Sequence, residues 1–215
     1  FIHYKEGFGH TPNHVSKPAR GSGGSSCFTF LASGAKWKSV EPWMVNTANS
    51  RGLSGTFVFN DLTADIAKWE DAADGVVNGV AGANILGNGA ATTTTLVADL
   101  TSPDTVNEVY FADIADPGVI AVTVVWGIFG GPPFARELIE WDMIFDDVSY
   151  DWSSSGEALK MDFENIATHE LGHAAGMGHP DDSCTEETMY AFANFGETKK
   201  RDLHNGDIAG INKLY

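Results

Sequence analysis

The chain has 215 residues, of which 43% are apolar, and this is enough for one globular domain or two small lobes with a real hydrophobic core. Its 13 basic and 29 acidic residues give a formal net charge of −16, which repels phosphate backbones and argues against nucleic acid as a partner. No run of about 18 apolar residues is present, so we expect no contact with a membrane interior.

Residues 1–36 are predicted to be an N-terminal arm or prosegment remnant, ahead of a globular domain at 37–215. The first 26 residues are rich in Gly, Ser, His and Pro and show no sustained period, which indicates an extended segment. We therefore expect His3, His10 and His14 to be solvated loop histidines rather than metal ligands. Because the sequence begins at Phe1 without a leader pattern, we expect that a leader or prosegment was removed or left out.

The globular part alternates helical and strand patterns in the order of an α+β fold. Helices are predicted at 64–73 with Thr63 as N-cap, at 162–175 and at 205–214, from apolar residues at helical spacing. Short apolar or alternating runs predict the strands of a mixed sheet. These strands are expected at 43–46, 56–59, 94–98, 108–112, 119–126 and 138–145.

The most informative stretch runs from His169 to His179 and reads HELGHAAGMGH. Residues four apart on a helix lie one turn above each other, so His169 and His173 can reach one ion while Glu170 points toward its open side. A third ligand at His179 would lie roughly 9 Å further along the same helix, so the chain has to turn back. Gly176 stands where this helix must end, because glycine readily adopts the left-handed conformation.

Three neutral imidazoles around a zinc ion leave a fourth position for water, which is typical of a catalytic rather than a structural site. Zinc lowers the pKa of that water, and Glu170 is placed to take its proton and pass it to a leaving amine. The sequence therefore predicts one catalytic zinc on His169, His173 and His179, with Glu170 as general base and general acid. The alternative is a helix with ordinary histidines.

This stretch resembles the zinc motif of the metzincin clan of metallopeptidases, and within it that of the matrixins. The clan has a methionine-containing turn below the metal, which Thr188-Met189-Tyr190 matches. The resemblance implies that Met189 forms a floor under the imidazoles and that Tyr190 borders the pocket for the residue after the scissile bond. It covers about residues 37–215. It implies a two-lobed catalytic domain, with a mixed sheet of about five strands, a backing helix, an active-site helix and an irregular C-terminal part ending in a helix.

Some positions depart from the matrixin pattern. Pro180 follows the third histidine, where matrixins usually have serine, and Glu140 stands where a matrixin places a histidine of its structural zinc site. We therefore expect a single zinc ion. Asp142 matches a calcium-site carboxylate of the family, and with Asp146 and Asp147 it forms the candidate Ca²⁺ site; a solvated acidic loop is the alternative.

The two cysteines, Cys27 and Cys184, are too far apart in sequence for a local CxxC motif. A disulfide, two free thiols and a thiolate on the zinc are the open alternatives. A disulfide is favoured, since a secreted protease has to survive proteases of its own kind and an oxidising compartment permits the bond. It would tie the N-terminal arm to the loop after His179.

The pattern as a whole predicts a zinc-dependent endopeptidase that cleaves extended proteins or peptides, secreted or extracytoplasmic and monomeric. The substrate would pair with an edge strand, for which residues 119–126 are the candidate. The alternatives are a zinc hydrolase of short or peptidoglycan peptides and a non-catalytic zinc-containing binding protein. A latent form would be inactive until the N-terminal arm is removed.

Overall fold

A computed structural model describes residues 1–7, 27–74 and 84–215. The fold is α+β, as predicted, with three α-helices and eleven strands within this part of the chain. In chain order these elements are β1 (Ile2–Lys5), β2 (Thr29–Phe30), β3 (Trp43–Val45), α1 (Gly55–Ala73), β4 (Gly89–Ala91), β5 (Asn107–Ala112), β6 (Val119–Ile128), β7 (Glu137–Asp146), β8 (Trp152–Ser153), β9 (Met161–Asp162), α2 (Phe163–Ala174), β10 (Met177–Gly178), β11 (Phe192–Ala193) and α3 (Asn205–Leu214).

The main sheet has seven strands in the order β11-β1-β6-β7-β5-β3-β4. Strands β4, β3, β5 and β7 run parallel, and β6 is antiparallel to β7, so these five form a mixed sheet of the size that the resemblance implies, although β4 is not a predicted strand. Strand β1 adds to the outer side of β6 in antiparallel orientation, and β11 then pairs with β1 in parallel. The predicted edge strand at 119–126 is therefore covered by a segment of the same chain.

Helices α1 and α2 pack against each other and supply much of the core. α1 buries Val58, Leu62 and Trp69 at helical spacing, and the Trp69 indole Nε1 donates to the Thr168 carbonyl oxygen on α2 at 2.8 Å. Each such apolar side chain contributes about 1.5–3 kcal/mol on full burial. Eleven of the twelve residues of α2 are buried, so this helix is held on all sides.

The ends of α2 are fixed by local interactions. Asp162 is the N-cap, and its side chain accepts a hydrogen bond from the Asn165 backbone N–H at 3.1 Å. At the other end Gly176 has φ +104°, and its N–H donates to the His173 carbonyl oxygen at 2.9 Å. The chain thus reverses at the predicted glycine, and β10 then pairs with β2.

Two predicted strands are wrong. Residues 56–59 form the start of α1, which follows Ser54 as N-cap, so Thr63 lies inside the helix and its hydroxyl donates to the Phe59 carbonyl oxygen. Residues 94–98 belong to no strand, and the neighbouring β4 pairs with β3 instead. Gly89 of β4 lies against the Trp43 ring, where a Cβ would come within 2.2 Å, so this strand is selected by packing rather than by β-propensity.

Residues 1–7 are more ordered than their composition predicts. Residues Ile2–Lys5 form a strand, and His3 is fully buried, so the expectation of a solvated loop histidine is wrong at this position. This short strand, β1, is held by its pairing with β6 and β11. The local sequence of β1 does not reveal that pairing. His10 and His14 lie outside the described residues. None of the helices in the described ranges is long and apolar enough to cross a bilayer.

Candidate metal centre and peptide cleft

The three motif histidines converge on one point. His169 and His173 lie one turn apart on α2, and the chain reversal brings His179 in front of them. The His179 Nε2 atom lies 3.1 Å from His169 Nε2 and 3.0 Å from His173 Nε2. The structure therefore brings together the three predicted ligands.

The second ring nitrogens show that this arrangement fits a metal. His169 Nδ1 lies 2.7 Å from the Thr188 carbonyl oxygen, and His173 Nδ1 lies 2.8 Å from that of Met177. A carbonyl can only accept, so each Nδ1 donates and each Nε2 turns its lone pair to the centre. Burial lowers the pKa of both rings well below the usual value, which keeps them neutral. Tetrahedral zinc with Zn–N distances of about 2.0–2.1 Å separates its ligand nitrogens by roughly 3.3 Å, close to the observed spacing.

Glu170 lies beside the three imidazoles and is fully buried. Its Oε2 accepts a hydrogen bond from the Thr123 hydroxyl at 2.5 Å, whereas Oε1 has no hydrogen-bond partner among the described residues. Burial raises the pKa of Glu170 to about 7, although the Thr123 hydrogen bond opposes this shift. A buried carboxyl group with one open oxygen is suited to proton transfer. Thr123 was not singled out from the sequence, but it is the one polar residue in the apolar run VIAVTVVW.

Met189 is fully buried and packs against α2. A Cβ on Gly172 of α2 would come within 2.2 Å of the Met189 sulfur, so the thioether packs directly on the helix backbone between the two histidines. The turn is fixed from α3, because the Asp207 carboxylate accepts the N–H groups of Thr188 at 2.7 Å and Met189 at 3.2 Å. Asp207 is a supporting residue that sequence reasoning missed.

Strand β1 lies in the cleft next to these groups. The His3 ring stacks on His169 with 3.8 Å between ring centroids, and the Phe1 ring stacks on His173 at 4.7 Å. On its other side, β1 pairs with β11, which follows Tyr190. The Tyr190 carbonyl oxygen accepts a hydrogen bond from Lys200 Nζ at 2.5 Å. The cleft between β6 and β11 is thus wide enough for one extended polypeptide strand.

Cys27 and Cys184 form a disulfide with an S–S distance of 2.06 Å, and the chain has no free cysteine. The alternatives of free thiols and a zinc-bound thiolate are not what the structure shows. The bond connects the segment that precedes β2 to the loop after His179. Nearby, the Thr29 hydroxyl donates to the His179 carbonyl oxygen at 2.7 Å, so the third ligand is held from the same side.

The candidate calcium ligands are not brought together as one group. Asp142 accepts the N–H groups of Asp99 and Glu108 at 2.8 and 3.1 Å, and the carboxylates of Asp146 and Asp147 also accept backbone N–H groups. Among the described residues a different set of carboxylates converges to within 4.8 Å. These are Asp99, Asp104 and Glu140.

The mixed sheet, helix α2 with His169 and His173, the returning His179 and the buried Met189 agree with the resemblance to the metzincins. Residues 127–215 match the family model described as Matrixin, and the curated relatives support the same assignment. Residues 127–215 are therefore similar to the matrixins, and together with the fold they support a matrixin-like domain.

The relatives match over a limited part of the sequence. Human matrilysin is 42% identical over 62 residues, which cover 29% of this chain and 22% of the relative. The Arabidopsis thaliana protein Metalloendoproteinase 1-MMP is 43% identical over 72 residues, covering 34% of this chain and 18% of the relative. Metalloendoproteinase 1 of Glycine max is 39% identical over 77 residues, covering 33% and 24%. The chain spans less than a quarter of the length of each of these relatives.

Proposed function

We propose that this chain is a zinc-dependent endopeptidase that hydrolyses internal bonds of extended protein substrates. The observation that carries the proposal is the convergence of the Nε2 atoms of His169, His173 and His179 beside the open oxygen of Glu170. When bound, zinc supplies a Lewis acid that polarises the scissile carbonyl and activates water. The names of the relatives, among them metalloendoproteinases, support this class of activity.

Glu170 is the proton carrier of the proposed reaction. Its Oε1 accepts a proton from the attacking water and donates it to the leaving amine, so that one carboxyl group serves both halves of hydrolysis. The Thr123 hydroxyl holds Oε2 and thereby fixes the direction of Oε1. Burial of Glu170 removes competing water from the proton path.

The substrate is proposed to bind as an added strand between β6 and β11. Main-chain hydrogen bonds align such a peptide, and side-chain pockets then select its sequence. Support comes from β1, which takes this position through antiparallel pairing with β6 and parallel pairing with β11. In this scheme residues 119–126 are the substrate-pairing strand once β1 is displaced.

The decisive experiment compares the zinc-loaded chain with its Glu170→Ala variant on casein and gelatin. We expect the variant to retain one zinc per chain and to lose at least 10³-fold in kcat, because the proton carrier is gone. Glu186→Ala is the matched control, since the Glu186 side chain is 73% exposed and pairs with Lys199. Undiminished turnover by Glu170→Ala would exclude the proposed base. Metal analysis of the same samples also tests for bound calcium.

The same assay separates the alternatives. A non-catalytic zinc-containing binding protein would cleave nothing with or without a chelator, yet such a site has no use for a buried carboxyl group like Glu170. A hydrolase of short or peptidoglycan peptides would cleave only those substrates and leave casein intact. We further propose a secreted or extracytoplasmic monomer, for which the disulfide is the supporting observation.

A further inference from the structure

Strand β1 shows which side chain of an extended peptide enters the cleft most deeply. In its register with β6, Ile2 lies opposite Val122 and His3 opposite Ala121, while Tyr4 lies opposite Phe192 of β11. Side chains alternate along a strand, and here His3 faces inward and is fully buried. Its Nδ1 lies 3.7 Å from Glu170 Oε1, so this position of the peptide is the one next to the proposed catalytic group.

The pocket that receives His3 ends at a buried lysine. Lys200 has no exposed surface, and its backbone N–H donates to the Asn165 side chain at 2.8 Å, which ties it to α2. Its Nζ lies 2.8 Å from the Phe192 carbonyl oxygen and 2.5 Å from that of Tyr190. The third neighbour of Nζ is His3 Nε2 at 3.0 Å. Burial lowers the pKa of Lys200 to about 7. In its ammonium form the group has three N–H donors: the two carbonyl oxygens accept two of them, and His3 Nε2 accepts the third in the tautomer that carries its proton on Nδ1.

Two of these acceptors, the carbonyl oxygens of Tyr190 and Phe192, belong to the wall of the pocket. The third belongs to whichever strand occupies the cleft, which is β1 in this structure. An occupant without an acceptor leaves one N–H of Lys200 buried and unpaired. The free-energy cost of such an unpaired donor exceeds the net free energy that one hydrogen bond normally contributes. A site built to hydrogen-bond its ligand rejects analogues that lack the partner group much more strongly than an apolar pocket rejects a misfit.

We infer that Lys200 is a specificity-determining residue, which selects peptides with a hydrogen-bond acceptor on the side chain next to Glu170. Histidine, glutamine and glutamate have the length to reach Nζ, whereas leucine and methionine fill the space without pairing it. This inference rests on the proposed endopeptidase function. In the chain itself, His3 of β1 satisfies the same requirement.

The test uses the zinc-loaded full chain and a set of quenched peptides that differ only at this position. The position carries His, Gln, Glu, Leu or Met. We expect kcat/KM for the first three to exceed that for Leu and Met at least tenfold, and Lys200→Met to remove or invert this ratio. Lys38→Met is the control, because Lys38 pairs with Glu137 outside the cleft. Equal cleavage of Leu and Gln peptides by the wild type, or an unchanged preference in Lys200→Met, would overturn the inference.

Failure of the proposed function has a different signature, namely no cleavage of any peptide. The role of Lys200 is then measured by binding of labelled Phe-Ile-His-Tyr-Lys to the Glu170→Ala chain, in competition with β1. We expect the His-to-Leu analogue of this peptide to bind at least tenfold more weakly. Equal binding of the two peptides would contradict a selective Lys200.

A second pair of variants covers the case in which Lys200→Met does not fold. His3→Gln keeps an acceptor for Nζ, whereas His3→Leu removes it and weakens the hold of β1 on the cleft. We therefore expect peptide turnover to rise at least threefold in His3→Leu and to change little in His3→Gln. If Lys200 only ties Tyr190 to Phe192, the two variants behave alike, and the inference fails.

Discussion

At the scale of single residues, the metal ligands are more predictable than the groups that hold them. The spacing of His169, His173 and His179 carries its own geometry, because a helical turn and a glycine reversal follow from local rules. Lys200 and Thr123 carry no such signal. A lysine is normally a surface residue, and its burial here is made acceptable by the carbonyl groups of Tyr190 and Phe192 and by His3 of β1.

Gly172 is predicted to be irreplaceable because of its contact with the methionine turn. A Cβ at this position would lie 2.2 Å from the Met189 sulfur and 2.6 Å from the Trp69 ring. We expect Gly172→Ala to lower the free energy of unfolding by about 2–3 kcal/mol in urea titrations, as overpacking does in a tight core. Gly130→Ala is the control, since no atom lies within 4 Å of its added Cβ. Equal stability of the two variants would contradict this packing.

Thr123 is predicted to act by orienting Glu170. Thr123→Val keeps the shape of the side chain but removes the hydrogen bond to Oε2, and a hydrogen bond to a charged group contributes about 1.5–3 kcal/mol. We expect kcat to fall about tenfold or more while zinc content stays the same. Thr123→Ser should restore most of the rate, because it returns the hydroxyl. A rate unchanged in Thr123→Val would show that Glu170 needs no such support.

At the scale of elements, the sequence predicts what periodicity can encode. α2, α3, β6 and β7 appear close to their predicted bounds, since their apolar residues recur at one period over a long enough run. Residues 56–59 are four apolar or β-favouring residues in a row, which fit either a buried strand or a helix turn, and only packing against α2 decides between them. β1 is beyond local prediction, because its two partner strands lie more than a hundred residues away.

The connection between α3 and the methionine turn is predicted to depend on pH. Asp207 is buried, and burial raises its pKa to about 6 although three N–H groups donate to it; Glu187 raises the pKa further. A folded-state pKa above the unfolded value favours the protonated form in the folded protein. The stability that Asp207 contributes through its raised pKa is fully present below about pH 4, the ordinary pKa of an aspartate. It is lost as the pH rises through the folded-state pKa of about 6.

The measurement is the free energy of unfolding from pH 4 to 7 in the presence of a chelator, so that metal binding does not contribute. We expect Asp207→Asn to flatten the decline between pH 4 and 6 relative to wild type. His204 and Lys200 face the same region and are retained in both proteins. Asp113→Asn makes the same change of charge at an exposed position and should leave the profile in place. A profile identical in Asp207→Asn and wild type would contradict the assignment.

At the scale of the whole molecule, the disulfide connects parts of the chain that are 157 residues apart. Closing a loop of this length removes much of the freedom of the unfolded chain, and loss of a native disulfide costs about 2–5 kcal/mol. We expect the double variant Cys27→Ser with Cys184→Ser to unfold at clearly lower urea concentration than the oxidised protein. The wild type under reducing conditions should match the variant. Identical transitions for all three would show that the bond does not stabilise the fold.

The position of β1 has a consequence for inhibitor measurements. An inhibitor of the full chain must first displace a strand that is covalently attached and therefore present at high effective concentration. Its measured constant is the intrinsic constant divided by the fraction of chains whose cleft is open. Potencies obtained with this chain are thus apparent values. The apparent inhibition constant is raised for compounds that must displace His3 from its pocket, but not for compounds that bind with β1 in place. The two kinds of compound are therefore not comparable by this constant.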